Sequence, residues 1–81
     1  MEKIGRVTHF YNKIGVAVVV VEKGALSVGD IVHFKHNSHE FEQAVQSLEV
    51  DQQAVQSIKA GQEAGLKVIE PVKEGWAVYK E

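Results

Sequence analysis

Histidines at His33-x-x-His36-x-x-His39 form the one pattern in this sequence with the spacing of a metal site. Imidazole nitrogens are good ligands for zinc and nickel. Convergence is opposed if the segment is extended, because side chains three residues apart on a strand point to opposite faces. Each neutral ring would also need a partner for its second nitrogen. The competing reading is a set of exposed histidines flanking a turn, with His33 in water.

Other catalytic patterns fail on their details. Gly24-x-x-x-x-Gly29 has the glycine spacing of a phosphate loop, but Asp30-Ile31 follows in place of Lys-Ser or Lys-Thr and no helix is indicated, which removes both the charge and the dipole. Nucleotide hydrolysis is excluded on that ground. Ser27, Ser38, Ser47 and Ser57 lack a placeable His and carboxylate pair. Glu40 and Glu42 fall on one face of a strand about 7 Å apart, but an exposed hairpin lacks the burial that would separate their pKa values. The sequence therefore reads as a non-enzyme with no cofactor.

A binding patch is easier to place. His9, Phe10, Tyr11 and Lys13 put aromatic rings beside a cation at a strand end, where they could stack on bases or grip a protein. The alternative has Phe10 in the core and Tyr11 partly exposed. Trp76 and Tyr79 pose the same choice, and Trp76 suits a lid over one end of a core.

The elements that must position these residues read as strands. Six are expected: Lys3 to Phe10, Val16 to Val21, Ile31 to His36, Phe41 to Val50, Glu63 to Ile69 and Trp76 to Lys80. The valine run Val16-Ala17-Val18-Val19-Val20-Val21 predicts a central strand covered on both faces or nearly so. Between the second and third strands, Gly24 to Phe34 reads as a compact corner. Gly24 and Gly29 can supply positive φ angles there, and Asp30 is a turn residue. In the fourth strand Phe41, Gln43 and Val45 set one phase while Leu48 and Val50 set the other, so a bulge is expected near Gln46-Ser47. Asp51 to Ala60 is expected to be a loop with one turn of helix, from the spacing of Val55 and Ile58.

Composition bounds the class. The chain has 81 residues, 44% of them hydrophobic and 25% charged, which is one ordinary globular domain, residues 1–81, with one core. It contains no cysteine, so thiolate metal sites and disulfides are excluded. Nine Lys and Arg against eleven Asp and Glu give a net charge of −2, without the basic excess of proteins that bind nucleic acid by bulk charge. The amino terminus has no basic stretch leading into an apolar run, so a cytoplasmic location and no membrane contact are expected. Short strands separated by glycine turns predict an all-β fold: a small closed six-stranded antiparallel barrel, Greek-key-like.

Four segments, in order, resemble the second domain of translational GTPases such as elongation factor Tu. They are Glu22-Lys23-Gly24-Ala25-Leu26-Ser27-Val28-Gly29-Asp30, Val45-Gln46-Ser47-Leu48-Glu49, Ala60-Gly61-Gln62-Glu63-Ala64-Gly65-Leu66 and Val72-Lys73-Glu74-Gly75-Trp76-Ala77-Val78. Over nearly the whole chain, from Gly5-Arg6-Val7-Thr8-His9-Phe10-Tyr11 onward, the sequence is similar to small free-standing translation-factor-like proteins of prokaryotes. It is also similar to the carboxy-terminal domain of collagenase-like peptidases. The resemblance implies a barrel of the translation-protein type acting as a non-catalytic module. It also places Glu49 where elongation factors present a glutamate to the terminal adenosine of aminoacyl-tRNA. Asp51 stands where that family commonly has an aromatic residue, so a stacking partner worth about 1–3 kcal/mol per base is missing.

Three functions follow as expectations. The first is contact with RNA or the ribosome through the barrel rim, at His9, Phe10, Tyr11, Lys13 and Glu49. The second is docking onto a separate peptidase-like or RNA-modifying enzyme. The third is metal response through His33, His36 and His39.

Overall fold

The computed structural model describes residues 1–81 and contains ten strands and no helix. They are β1 (Glu2–Tyr11), β2 (Val16–Val21), β3 (Ala25–Ser27), β4 (Ile31–His36), β5 (His39–Ala44), β6 (Leu48–Val50), β7 (Gln53–Val55), β8 (Ser57–Lys59), β9 (Glu63–Lys67) and β10 (Ala77–Lys80). Eight of them form one antiparallel sheet in the order β5-β4-β10-β1-β2-β9-β6-β7, and β3 pairs with β8 in a separate ribbon. With no helix, there is none long and apolar enough to cross a membrane.

The all-β, antiparallel expectation holds, but six strands closed by pairing do not. The outer strands β5 and β7 are not paired with each other. One cluster of 17 buried side chains nevertheless draws on both ends of the sheet and on the ribbon, including Phe41, Leu48, Leu26 and Ile58. A sheet whose ends share one core must curl. Its gap is spanned by the ribbon: β8 follows β7 after Gln56 alone, β3 leads into β4, and the Val28 N–H donates to the Gln56 carbonyl at 2.9 Å.

The corner from Gly24 to Phe34 forms as the sequence indicates. Gly24 and Gly29 have φ of 76° and 97°. Asp30 closes the turn by accepting the Ser27 N–H at 2.8 Å, and the same oxygen lies 3.3 Å from Lys80 Nζ. Lys80 also donates to the Ala25 carbonyl at 3.1 Å, so the last strand is tied to the corner.

Three local expectations are corrected. Phe41 to Val50 is two strands, not one bulged strand. Phe41, Gln43 and Val45 do face the core, but the chain leaves β4 after Ala44 and joins β9 and β7 at Leu48. The bulges lie in β1 instead, between Lys3 and Gly5 and between Val7 and His9. Asp51 to Ala60 has no helical turn. It contains two three-residue strands bent at Gln56, and the bend produces the three-residue spacing of Val55 and Ile58.

An added Cβ at Gly65 would meet only the Val16 Cγ1 at 3.1 Å. The position that excludes a side chain is Gly5, where a Cβ would sit 1.9 Å from the Val20 carbonyl oxygen. Gly5→Ala should therefore destabilise the fold by about 1–3 kcal/mol or more, the cost of overpacking against backbone, and Gly65→Ala by less. Urea midpoints of the two variants test the ranking.

Gln43 is the one buried polar residue. Its Nε2 donates to the Lys67 carbonyl at 2.8 Å and its Oε1 accepts the Ile69 N–H at 2.8 Å, joining β5 to the chain leaving β9. Gln43→Met keeps the volume but orphans both backbone groups, so we expect a loss of about 1–3 kcal/mol in denaturant unfolding. A midpoint equal to that of the unsubstituted protein would show that the bridge contributes nothing.

Candidate binding surface

The valine strand β2 builds the surface. Ala17, Val19 and Val21 point inward and are fully buried. Val16, Val18 and Val20 point outward and are only half-buried, so the expectation of a strand covered on both faces holds for one face alone. Its neighbour β9 puts Gly65 opposite Val18, and a residue without a side chain leaves that valine uncovered. The loop from β1 to β2 then places Ile14, 60% exposed, beside Tyr11, 50% exposed.

Together these residues form an open groove of about 810 Å³. Its floor is Tyr11, Ile14, Val16, Val18, Ala64 and Gly65. Its charged lining is acidic only, with Glu49, Asp51 and Glu63. Glu63 is positioned by accepting the Thr8 hydroxyl at 3.1 Å. Asp51 and Gln52 form the two-residue turn between β6 and β7, with φ of 52° and 67°. Neither is glycine, so this turn holds two side chains in the left-handed region at some cost.

The sequence-predicted patch is divided. His9 and Tyr11 share the outer face of β1 and meet edge to face, with ring centroids 4.3 Å apart. Phe10 points the other way and packs against the core. His9 and Phe10 also border a second hollow of about 560 Å³ with Asn12, Pro71, Val72, Lys73 and Glu74. Lys13 is exposed on the β1–β2 loop and does not line the groove. Glu49 is exposed and does line it. Ile14, Val16, Val18 and Glu63 were missed, although an unbroken valine run beside a glycine-containing strand was the signal that could have found them.

The three histidines separate. His36 and His39 face each other across the β4–β5 hairpin and lie against Trp76, with ring centroids 5.4 Å from it in both cases. Trp76 is buried, in keeping with a lid over the core, and its Nε1 has no hydrogen-bond partner. His39 Nε2 lies 3.1 Å from Glu70 Oε1. His33 lies on the opposite face, and its side chain is only 12% exposed, which corrects the expectation that it stands in water. Its Nε2 is 2.8 Å from Glu81 Oε2 and its Nδ1 is 3.2 Å from Glu40 Oε2.

The hydrogen bond to Glu81 raises the His33 pKa above the ordinary imidazole value, against desolvation and with help from Glu40 and the charge of Glu42. A raised folded-state pKa adds stability that is fully present below the unfolded value, about 6.5, and is lost as pH rises through the folded value. Chelator-treated protein should therefore lose stability from about pH 6.5 upward more steeply than His33→Gln does. Parallel pH profiles of the two would show that His33 is not linked to folding.

No protein-family model matches the sequence, and no curated protein does. Among solved structures, the chain is similar to the C-terminal domain of a Geobacillus thermoleovorans protein described as a U32 peptidase. One structure of that domain superposes with a TM-score of 0.90 at 22% identity, covering 99% of this chain and 92% of that one. A structure of its selenomethionine variant gives 0.88 at 21% identity, over 96% and 98%. The chain thus shares its fold, over essentially its whole length, with the C-terminal domain of that protein.

Proposed function

We propose that this chain is a non-catalytic binding module that docks onto a peptidase-like catalytic chain through the outer face of β2. The observation that carries the reading is the half-open valine face with Ile14 and Tyr11 exposed beside it. An apolar strand face normally needs a cover, and no element of this chain supplies one. The acidic rim of Glu49, Asp51 and Glu63 gives the occupant its chemistry: an apolar side chain flanked by Lys or Arg. The shared fold with a peptidase's terminal domain supports a catalytic protein as the partner.

The translation-factor reading, with RNA held at the rim by Glu49 and the His9 to Lys13 patch, is less well supported. Three carboxylates line the groove that Glu49 borders, and they repel phosphate where an RNA site needs cations. That reading also takes the curled antiparallel sheet as a closed barrel of the translation-protein type.

A photo-crosslinking residue at Ile14, expressed in the native host, tests the proposal. Ile14 should crosslink to a peptidase-like chain, while the same group at Lys3 should not. Crosslinks to RNA alone, or none to such a chain, would overturn the proposal. With that partner purified, Ile14→Asp should weaken binding about tenfold or more, the equivalent of losing one buried aliphatic anchor.

A further inference from the structure

We propose that His33, Glu42 and Glu81 form a binding site for a divalent transition-metal ion on the outer face of β4, β5 and β10. Their ligand atoms all lie within 4.8 Å of one another. The set differs from the histidine triplet of the sequence and shares only His33 with it.

Strand pairing assembles the site. His33 on β4 is the cross-strand partner of Glu42 on β5. On its other side, β10 pairs Tyr79 with His33, and the chain continues to Glu81, whose N–H donates to the Ile31 carbonyl at 3.2 Å. Pairing of β5, β4 and β10 thus brings one imidazole and two carboxylates to one spot, with Glu81 held directly after β10 by its N–H bond to Ile31.

A further feature resembles a built metal site. Glu40 lies 3.2 Å from His33 Nδ1, while Nε2 is the nitrogen that faces Glu81. A carboxylate on one imidazole nitrogen fixes the ring and its tautomer, leaving the other nitrogen's lone pair for a metal. Lys35 Nζ, 3.9 Å from Glu40, is the nearby cation on this face and also lies over the Tyr79 ring. Three carboxylates against one histidine and one lysine leave negative charge that a divalent ion would offset.

The donor set selects the ion. One nitrogen and two carboxylate oxygens suit zinc or cobalt, with water completing the coordination. Bonds of about 2.1 Å would need donors about 3.4 Å apart. The side chains of Glu81 and Glu42 are exposed, so rotation about their own bonds can close the remaining distance. A metal-bound imidazole nitrogen carries no proton, so affinity should rise with pH.

Thermal unfolding and calorimetric titration of chelator-treated protein with zinc chloride at pH 7.5, and cobalt absorption spectra, test the site. Zinc should raise the melting temperature with one ion bound, and cobalt should give visible bands more intense than those of its six-coordinate aquo ion, as coordination below six does. His33→Gln and the Glu42→Gln, Glu81→Gln double variant should abolish both effects, each measured against the same variant's metal-free melting temperature. Glu40→Gln should weaken zinc about 10- to 100-fold, as loss of a partner behind a ligand does. His36→Ala with His39→Ala should leave binding unchanged. No zinc effect on the unsubstituted protein would overturn the proposal, as would binding that survives His33→Gln or disappears with His36 and His39.

Discussion

A curled sheet whose two outer strands do not pair with each other must be held at the gap, and here a single carboxamide does much of that holding. Gln43 faces the core from β5 and satisfies both the carbonyl of Lys67 and the N–H of Ile69. Without it, the chain leaving β9 would present two unpartnered backbone groups to an apolar interior, which proteins rarely tolerate. The seam is reinforced nearby: the Gly29 N–H donates to the Val45 carbonyl, and the Val45 N–H donates to the Asp30 carbonyl, both at 2.8 Å. The corner, the β5 exit and the β9 exit are therefore one hydrogen-bonded unit.

That closure decides which faces are free. Inward residues of every long strand are used up by one core, so function must lie on outward positions. Two outward rows stand out, and they differ in chemistry. Across β1, β2 and β9 the row centres on the valines of β2, with Gly65 thinning the cover over Val18. Across β5, β4 and β10 it is ionic, with His33 between carboxylates. Each row is assembled by register and would be destroyed by a one-residue slip of either strand. The bulges in β1 thus matter beyond geometry, because they set which of Phe10 and Tyr11 turns outward.

Much of this was legible where short-range rules suffice. The bounds of β2 followed from a valine-rich run between Gly15 and Glu22-Lys23-Gly24, those of β4 from apolar–polar alternation between Asp30 and Asn37, and the Gly24 to Phe34 corner from its turn residues. The phase of Phe41, Gln43 and Val45 was also readable, but the partner of Gln43 was not, because Lys67 and Ile69 are more than twenty residues away. Val55 and Ile58 misled for a related reason: each belongs to a three-residue strand, too short for periodicity to show. At the sites, His33 was visible as a residue but its neighbours were not. The three-residue spacing to His36 was visible, whereas Glu42 and Glu81 join it only through pairing. The outward valines were visible as residues, but the absence of a cover could be seen only once β9 placed Gly65 beside them.

The strength of the apolar groove bears on the kind of partner it can hold. Fully burying an aliphatic side chain contributes about 1.5–3 kcal/mol, and Ile14 and Tyr11 begin half-covered or nearly so. Two such anchors give only a few kcal/mol, while association of free partners costs about 4–15 kcal/mol or more. The groove by itself therefore cannot retain a dilute, independent protein. It suits a neighbour whose further contacts lie outside the groove, or one kept near by a tether, where effective concentrations reach the millimolar range. The acidic rim then acts mainly on orientation, rejecting polyanions and aligning basic residues over Glu49, Asp51 and Glu63.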